Sequence, residues 1–227
     1  VHDDAGWRMK RHAVQPFYRW LASWAFALHT PSDIGYPDDG FALPPLRIHD
    51  CIVNGISGSS DVLFPELSIK GLSGRLAARR GSLNARVTAT ENIVDEWGAA
   101  WLVWCGMNAE SEALATTLPG AVEVTGSDSY AEKVGAVRGF IDGSIQRLVS
   151  KVRILGYGLN FQHCHKMAFV GLGDSYEQYY QAIRRCWRFG QAHPVDVYIV
   201  VSEAEQLVVE NVRRKEAPAH VLGQELL

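Results

Sequence analysis

The hydrophobic rhythm of the chain changes near residue 99. Upstream, Phe17, Trp20, Leu21, Trp24 and Leu28 recur at helical spacing within residues 12–28, which predicts an amphipathic helix whose aromatic face packs into a core. Residues 30–47 are dense in Pro, Gly and Asp and read as an ordered connector. A strand is expected over 48–56, followed by a turn at Ser57–Asp61. The longest helical pattern covers 73–98 and places Arg75, Arg79 and Arg86 on one face. Such a face is either a solvated flank or a cationic stripe that follows a phosphate backbone, hence a candidate DNA contact.

Downstream, short apolar runs alternate with helical patterns. Ala100–Cys105 is continuously apolar, as a strand buried on both faces would be. A helix is expected near 109–117, a strand over 122–126, a helix near 128–141 and strands over 146–152 and 167–171. A helix over 175–189, with Asp174 or Ser175 as its N-cap, a strand over 195–201 and a helix over 203–215 complete the series. This alternation predicts an α/β fold, a parallel sheet covered by helices on both faces and preceded by a mainly helical segment. The expected domains are 1–98, 99–215 and a tail at 216–227. Ligands of such a sheet sit beyond the C-terminal ends of the strands.

The expected 175–189 helix carries Arg184, Arg185 and Arg188. Gln181, Arg185 and Arg188 share one face of an ideal helix, and Tyr180, Ile183 and Trp187 share another. The aromatic face is therefore expected on the sheet and the arginine face outward, with Gly190 as a left-handed terminator. Charge sharpens this picture because there is so little of it in bulk. The 227-residue chain holds 22 basic and 25 acidic residues, so no global field attracts nucleic acid, and any anion binding must be local. Cys51, Cys105, Cys164 and Cys186 are widely spaced and read as reduced thiols of a cytoplasmic protein. No apolar run approaches the ~18 residues of a membrane helix. The opening VHDDAGW lacks Met and resembles no signal peptide, and reads as part of a longer chain.

The string Gln181-Ala182-x-x-Arg185-x-x-Arg188-x-Gly190-Gln191, followed by Pro194-Val195 and an apolar strand, resembles motif VI of superfamily 2 helicases, most of all the Snf-type DNA-dependent ATPases. Gly156–Phe161 resembles motif V, with Gly158-Leu159-Asn160 intact, and the segment from Trp101 through Leu114 resembles the motif IV region. The order of these elements is similar to the second RecA-like lobe over about residues 99–215. Residues 1–98 resemble, more loosely, the inter-lobe region of phage- or prophage-type members. Leu155 stands where family members often have a small residue, and Arg184 is an additional charge.

The resemblance implies ATP bound between two lobes, with Mg held mainly by an N-terminal RecA-like lobe of the same parent protein. It implies Arg188 as arginine finger and Arg185 as its assistant. Gln181 would orient the arginine helix or touch the nucleotide side. Gly158 would allow close backbone approach, Asn160 would couple nucleotide to DNA, and Ser150 and Lys151 would contact the DNA backbone. No G-x-x-x-x-G-K-[ST] occurs, and Asp95-Glu96 lacks the apolar strand of a Walker B motif, so this chain alone is not expected to hydrolyse ATP. The alternative is a stand-alone RecA-like module that binds DNA or protein without catalysis. His163-Cys164-His165 suggests a metal only superficially, because adjacent side chains diverge and no second cluster completes a tetrahedron.

Overall fold

The computed structural model describes residues 2–3, 6–7, 10–25, 28, 30–54, 72–95 and 99–224, with side chains described over 10–25, 28, 30–54, 76–94 and 99–216. The expected turn at Ser57–Asp61 lies outside these residues. The chain divides into two compact units, residues 43–213 and residues 1–42 with 214–227.

The larger unit is built on a six-stranded sheet, all of whose pairings are parallel. Its strands are β3 (Leu46–Val53), β4 (Trp101–Cys105), β5 (Ala121–Val124), β6 (Arg147–Lys151), β7 (Lys166–Val170) and β8 (Val195–Ser202), in the order β3-β8-β7-β4-β6-β5. Strand β3 lies beside β8 in register from Leu46↔Val195 to Val53↔Ser202. A strand upstream of residue 99 therefore belongs to this sheet, and the compact unit starts at Leu43 instead of at the expected boundary.

Alternation along the central strands sorts two cores. Leu102, Trp104, Leu148, Met167, Phe169, Val197 and Ile199 face one layer. Phe140 of α5 (Tyr130–Asp142), Ala182 and Ile183 of α7 (Tyr176–Ile183), and Val208 and Val212 of α8 (Gln206–Gln224) cover it. Trp101, Val103, Val149, Ala168 and Val170 face the other layer, covered by Val87 and Val94 of α3 (Leu83–Asp95) and Leu114 of α4 (Asn108–Thr117). Helices on both faces of a parallel sheet give the α/β architecture expected from the alternation, and it is the RecA-like arrangement that the resemblance implied. A one-turn helix, α6 (Val152–Leu155), follows β6.

Two expected helices differ. The 73–98 pattern is two helices, α2 (Leu72–Gly81) and α3, separated at Ser82. The 175–189 helix starts at its Ser175 cap, whose hydroxyl accepts from the Gln178 N–H, but ends at Ile183. Beyond it the backbone tightens into short turns, with Arg185 N–H donating to Ala182 O and Arg188 N–H to Cys186 O. Those turns break the 3.6-residue phase on which the two expected faces depend.

In the smaller unit, β1 (His2–Asp3) pairs antiparallel with β2 (Gly6–Trp7), and α1 spans Val14–Ala22. Its aromatic face does not enter a core. Trp20 is 57% exposed, Trp24 64% and Leu28 50%, and Trp20 packs instead on Phe17 and Trp24. The helix stops too early to carry that face further, and Ser23 Oγ donates back to Trp20 O. The connector is ordered as expected: Thr30 and Asp33 form a reciprocal cap, and Gly35 takes φ 82°.

Candidate functional site

Two arginine-rich places lie at the sheet's margins. At the first, the loop after α6 is shaped by glycine. A Cβ at Gly156 would overlap the Val152 carbonyl, and Gly158 has φ 74°, a left-handed conformation that other residues rarely take. The loop then meets the segment after α7. Phe161 N–H donates to Arg185 O at 2.8 Å. Arg185 donates from Nε to Gln181 O (2.9 Å), from Nη1 to Leu159 O (3.0 Å) and from Nη2 to Gln181 Oε1 (3.0 Å). It is buried, and burial, followed by the charge of Arg188, pushes its pKa down from the ordinary guanidinium value. Its acceptors are carbonyl oxygens, so its charge is oriented but not cancelled.

Arg188 is held differently. Its Nη1 donates to Asn160 Oδ1, while its Nε is buried with no partner among the described residues. A buried donor without an acceptor costs about 1–3 kcal/mol, and such a group is where an anionic oxygen would be most welcome. The structure thus brings together Gln181, Asn160, Arg185 and Arg188, with Gly158 in the same loop, but in revised roles. Arg185 is committed to ordering the loop, and Arg188 keeps a donor that no acceptor among the described residues meets. The expected faces are corrected as well: Tyr180 is 40% exposed while Arg185 is 9% exposed. Trp187 is half-buried, donating from Nε1 to Pro44 O at 2.7 Å, with Arg184 over its ring. Gln191, not singled out as a site residue, is buried and bridges the Cys164 and Cys186 carbonyls while accepting from His193 N–H.

At the second place, a cleft of about 780 Å³ opens at the C-terminal ends of β4, β5, β6 and β7. Asn108, Thr125, Ser127, Lys151, Arg153 and Gly171 are among its lining residues. Lys151 stands at its edge and donates to Asn108 Oδ1. Ser150 does not join it: the residue is fully buried and its hydroxyl donates to Val124 O at 2.7 Å, so it ties β6 to β5 rather than meeting a phosphate.

Behind this cleft sits an ion cluster that the arginine stripe did not anticipate. Arg79 donates to Glu110 from Nε (2.7 Å) and Nη2 (2.9 Å). Arg86, fully buried, donates from Nη1 to Glu110 Oε1 (2.6 Å), from Nη2 to Arg79 O (2.6 Å) and from Nε to Ser82 Oγ (3.1 Å). Glu205 lies 3.6 Å from Arg79 and 3.5 Å from Arg86. Burial pushes the Glu110 carboxyl up, but the Arg79 hydrogen bond, the two guanidinium charges and the Met107 N–H outweigh it and hold it below the usual carboxylate range. Arg86 is therefore neither a solvated flank nor a surface phosphate contact. Its acceptors, about a hundred residues apart, carried no local signal. The Arg75 side chain lies outside the described residues.

The histidines of the His163-Cys164-His165 triplet diverge: His163 packs on Phe140 and His165 on His193. Among the described residues, no group of three or more His, Cys, Asp and Glu could hold a metal. No helix among them is long and apolar enough to cross a membrane.

Residues 91–190 match the family model of the helicase conserved C-terminal domain. Among solved structures, the chain is similar to a DEAD box protein from the hyperthermophile Methanococcus jannaschii (19% identity, TM-score 0.51, 58% of this chain and 37% of that one). It is also similar to the C-terminal domain of the DEAD-box protein Dbp5 (11%, 0.53, 75% and 84%). The C-terminal part of the Fun30 ATPase domain aligns at 17% identity and TM-score 0.49, over 58% of this chain and 45% of that one. The chain thus spans less than half the length of the DEAD box protein and of the Fun30 structure. No curated protein sequence matches it. The family match covers under half of the chain, and what the solved structures share with it is the RecA-like fold.

Proposed function

We propose that this chain is the C-terminal motor lobe of an ATP-dependent DNA translocase or helicase of the Snf type, of phage or prophage character. It supplies an arginine finger and part of the DNA-binding surface, and it does not turn over ATP alone. The observation that carries this reading is the pairing of the Gly158–Asn160 loop with the Gln181–Arg188 segment, which leaves Arg188 Nε buried without an acceptor. An orphaned guanidinium donor fits a phosphate oxygen, and the fork of N–H groups cannot lose its charge at neutral pH.

In this reading ATP, with Mg, is held mainly by an N-terminal RecA-like lobe of the same parent protein. The nucleotide supplies the phosphoryl group to be transferred to water. What this chain does is positional. Arg185 pins the motif V loop to the motif VI segment through its Nη1 bond to Leu159 O and the Phe161 N–H bond to Arg185 O, while its bonds to Gln181 hold the guanidinium in place. Asn160 holds Arg188 by one edge, and Arg188 presents the other edge to the charge that grows in the transition state. Lys151 at the cleft and Asn160 beside Arg188 stand at the two ends of one short segment, which is the route by which bound nucleic acid would be felt at Arg188.

The test uses the parent protein. Arg188→Ala should abolish DNA-stimulated ATPase activity while leaving DNA binding in place, and Arg188→Lys should not rescue it. DNA-stimulated turnover that is unchanged in Arg188→Ala would overturn the proposal.

A further inference from the structure

The strand order gives the cleft a topological feature of its own. The connection leaving β4 passes to β5, on the far side of β6, whereas the connection leaving β7 passes to β8 on the opposite side. Adjacent strands whose exits diverge leave a crevice between their C-terminal ends, where α/β proteins bind ligands. Here those ends are Gly106, after β4, and Gly171, after β7. A Cβ at either position would overlap the guanidinium of Arg79. Both glycines therefore leave room for one cation, brought from α2, outside the 91–190 family match.

Arg79 is fixed there. Its Nε and Nη2 are taken by Glu110, and Nη2 also reaches Val170 O at 3.4 Å. Glu110 is itself immobilised by Gly106 N–H and Met107 N–H, each at 2.9 Å, and by Arg86 from behind. Among the described residues nothing accepts from Arg79 Nη1, and Arg79 lines the cleft. Lys151 and Arg153 line the same cleft, with Asn108 and Ser127 as neutral donors and Glu112 and Glu123 as opposing charges. The cation excess is small, so an anion would be recognised by placement rather than by field. Placement is what the cluster provides, because a guanidinium held on one edge by a carboxylate loses little freedom when its other edge binds.

The geometry points to Arg79 as a phosphate-binding residue of the strand-end cleft, taking a phosphodiester of the nucleic-acid backbone on its Nη1 edge, with Gly106 and Gly171 as the space that admits it. This rests on the nucleic-acid reading above but adds a residue that neither motif V nor motif VI contains. The shared chemistry is a phosphate oxygen, which a nucleotide could also supply, so the two sources must be separated.

The experiment measures binding of a labelled oligonucleotide to the full chain by fluorescence anisotropy across a salt series, and binding of ATP in parallel. Arg79→Gln should weaken oligonucleotide binding roughly tenfold regardless of sequence and reduce the log–log salt slope by about one unit. Gly106→Ala keeps every charge but displaces the guanidinium. It should reproduce most of that loss, and in the Arg79→Gln background it should add nothing. Pairing Arg79→Gln with Glu205→Gln keeps the buried charges balanced and should bind like Arg79→Gln alone, which separates a lost contact from a disturbed fold. Oligonucleotide binding with an unchanged salt slope in Arg79→Gln overturns this inference and leaves the proposed function standing. A loss confined to ATP assigns the edge to a nucleotide phosphate and also overturns it. Absence of oligonucleotide binding by the unaltered chain overturns both.

Discussion

The Arg185–Arg188 segment and the Arg79–Arg86 pair are the same chemistry placed against different acceptors. Around Arg185 the acceptors are carbonyl oxygens, of Leu159 and of the Gln181 backbone and side chain. Dipoles orient a guanidinium without neutralising it, so the segment keeps its positive charge, and Arg188 keeps an unpaired donor. Around Arg79 and Arg86 the acceptors are carboxylates, Glu110 and Glu205, and all four groups are largely withdrawn from water. There the charge is spent on fixing α2 and α3 to the strand ends. A cluster of arginines in a sequence is therefore not yet a binding site. What the guanidinium faces decides whether it binds a ligand, holds the fold or, at Arg79, holds with one edge and offers the other.

The sharpest way to break this comparison is the Arg188 pair of measurements. In the parent protein, Arg188→Ala should lower ATP turnover by on the order of 10³-fold or more at nearly unchanged thermal stability. Arg185→Ala should instead lower stability by about 2 kcal/mol, since it removes charged hydrogen bonds that order the loop. Equal stability losses in the two variants would erase the distinction between a presented and a committed arginine.

Glu110 tests the other side. Glu110→Ala leaves two buried guanidiniums facing only Glu205, so unfolding experiments should find about 3–5 kcal/mol of lost stability. A loss below about 1 kcal/mol would place the cluster in solvent contact, against its burial.

How much of this was legible differs by element, for physical reasons. Strand β4 was plain because a strand covered on both faces is continuously apolar, and Trp101–Cys105 is entirely buried. The Gly158-Leu159-Asn160 loop and the Arg188 segment were legible because the motif is local and its glycines are conformationally required. Strand β3 was found, but not its place in the sheet, since Leu46–Val53 pairs with a strand about 150 residues later. Glu110 and Glu205 were invisible as partners of Arg79 and Arg86 because they lie on other elements, Glu110 already 31 and 24 residues away, beyond the reach of any local periodicity. The facing of residues 184–190 failed because the helix periodicity was carried past Ile183, where short turns replace it. Ser150 failed because period-2 alternation put it under β5 rather than at the cleft.

The pH dependence of stability sharpens the same contrast. Glu110 and Asp196 both have folded-state pKa values below their ordinary ones. In each case burial opposes the shift and partners outweigh it: Arg79 and Arg86 at Glu110, Lys166 and His49 at Asp196. A carboxylate depressed on folding contributes stability that is present above its unfolded pKa and is lost as pH falls through the folded one. Melting temperature should therefore drop on acidification below about pH 4, and Glu110→Gln, which cannot titrate, should flatten part of that limb. An identical acid limb in Glu110→Gln would remove Glu110 from the account.

The smallest effect tests which face of α7 is docked. The spacing argument put Tyr180 beside Ile183 against the sheet, whereas the structure leaves Tyr180 40% exposed and Ile183 4% exposed. The Tyr180 ring meets Tyr176, at 5.9 Å between rings, and the Arg184 guanidinium, 5.9 Å from its centroid. An exposed cation–π contact of that length is worth about 0.5 kcal/mol. Tyr180→Ala should therefore shift stability by about 0.5 kcal/mol. Ile183→Ala should cost about 2–5 kcal/mol, because it opens a cavity in the core beside Ala182 and Cys186. Urea unfolding of the two variants, compared at one pH and salt, decides the matter. If Tyr180→Ala costs as much as Ile183→Ala, the helix is rotated toward the arrangement that ideal spacing predicts, and the carbonyl cage around Arg185 cannot form as described.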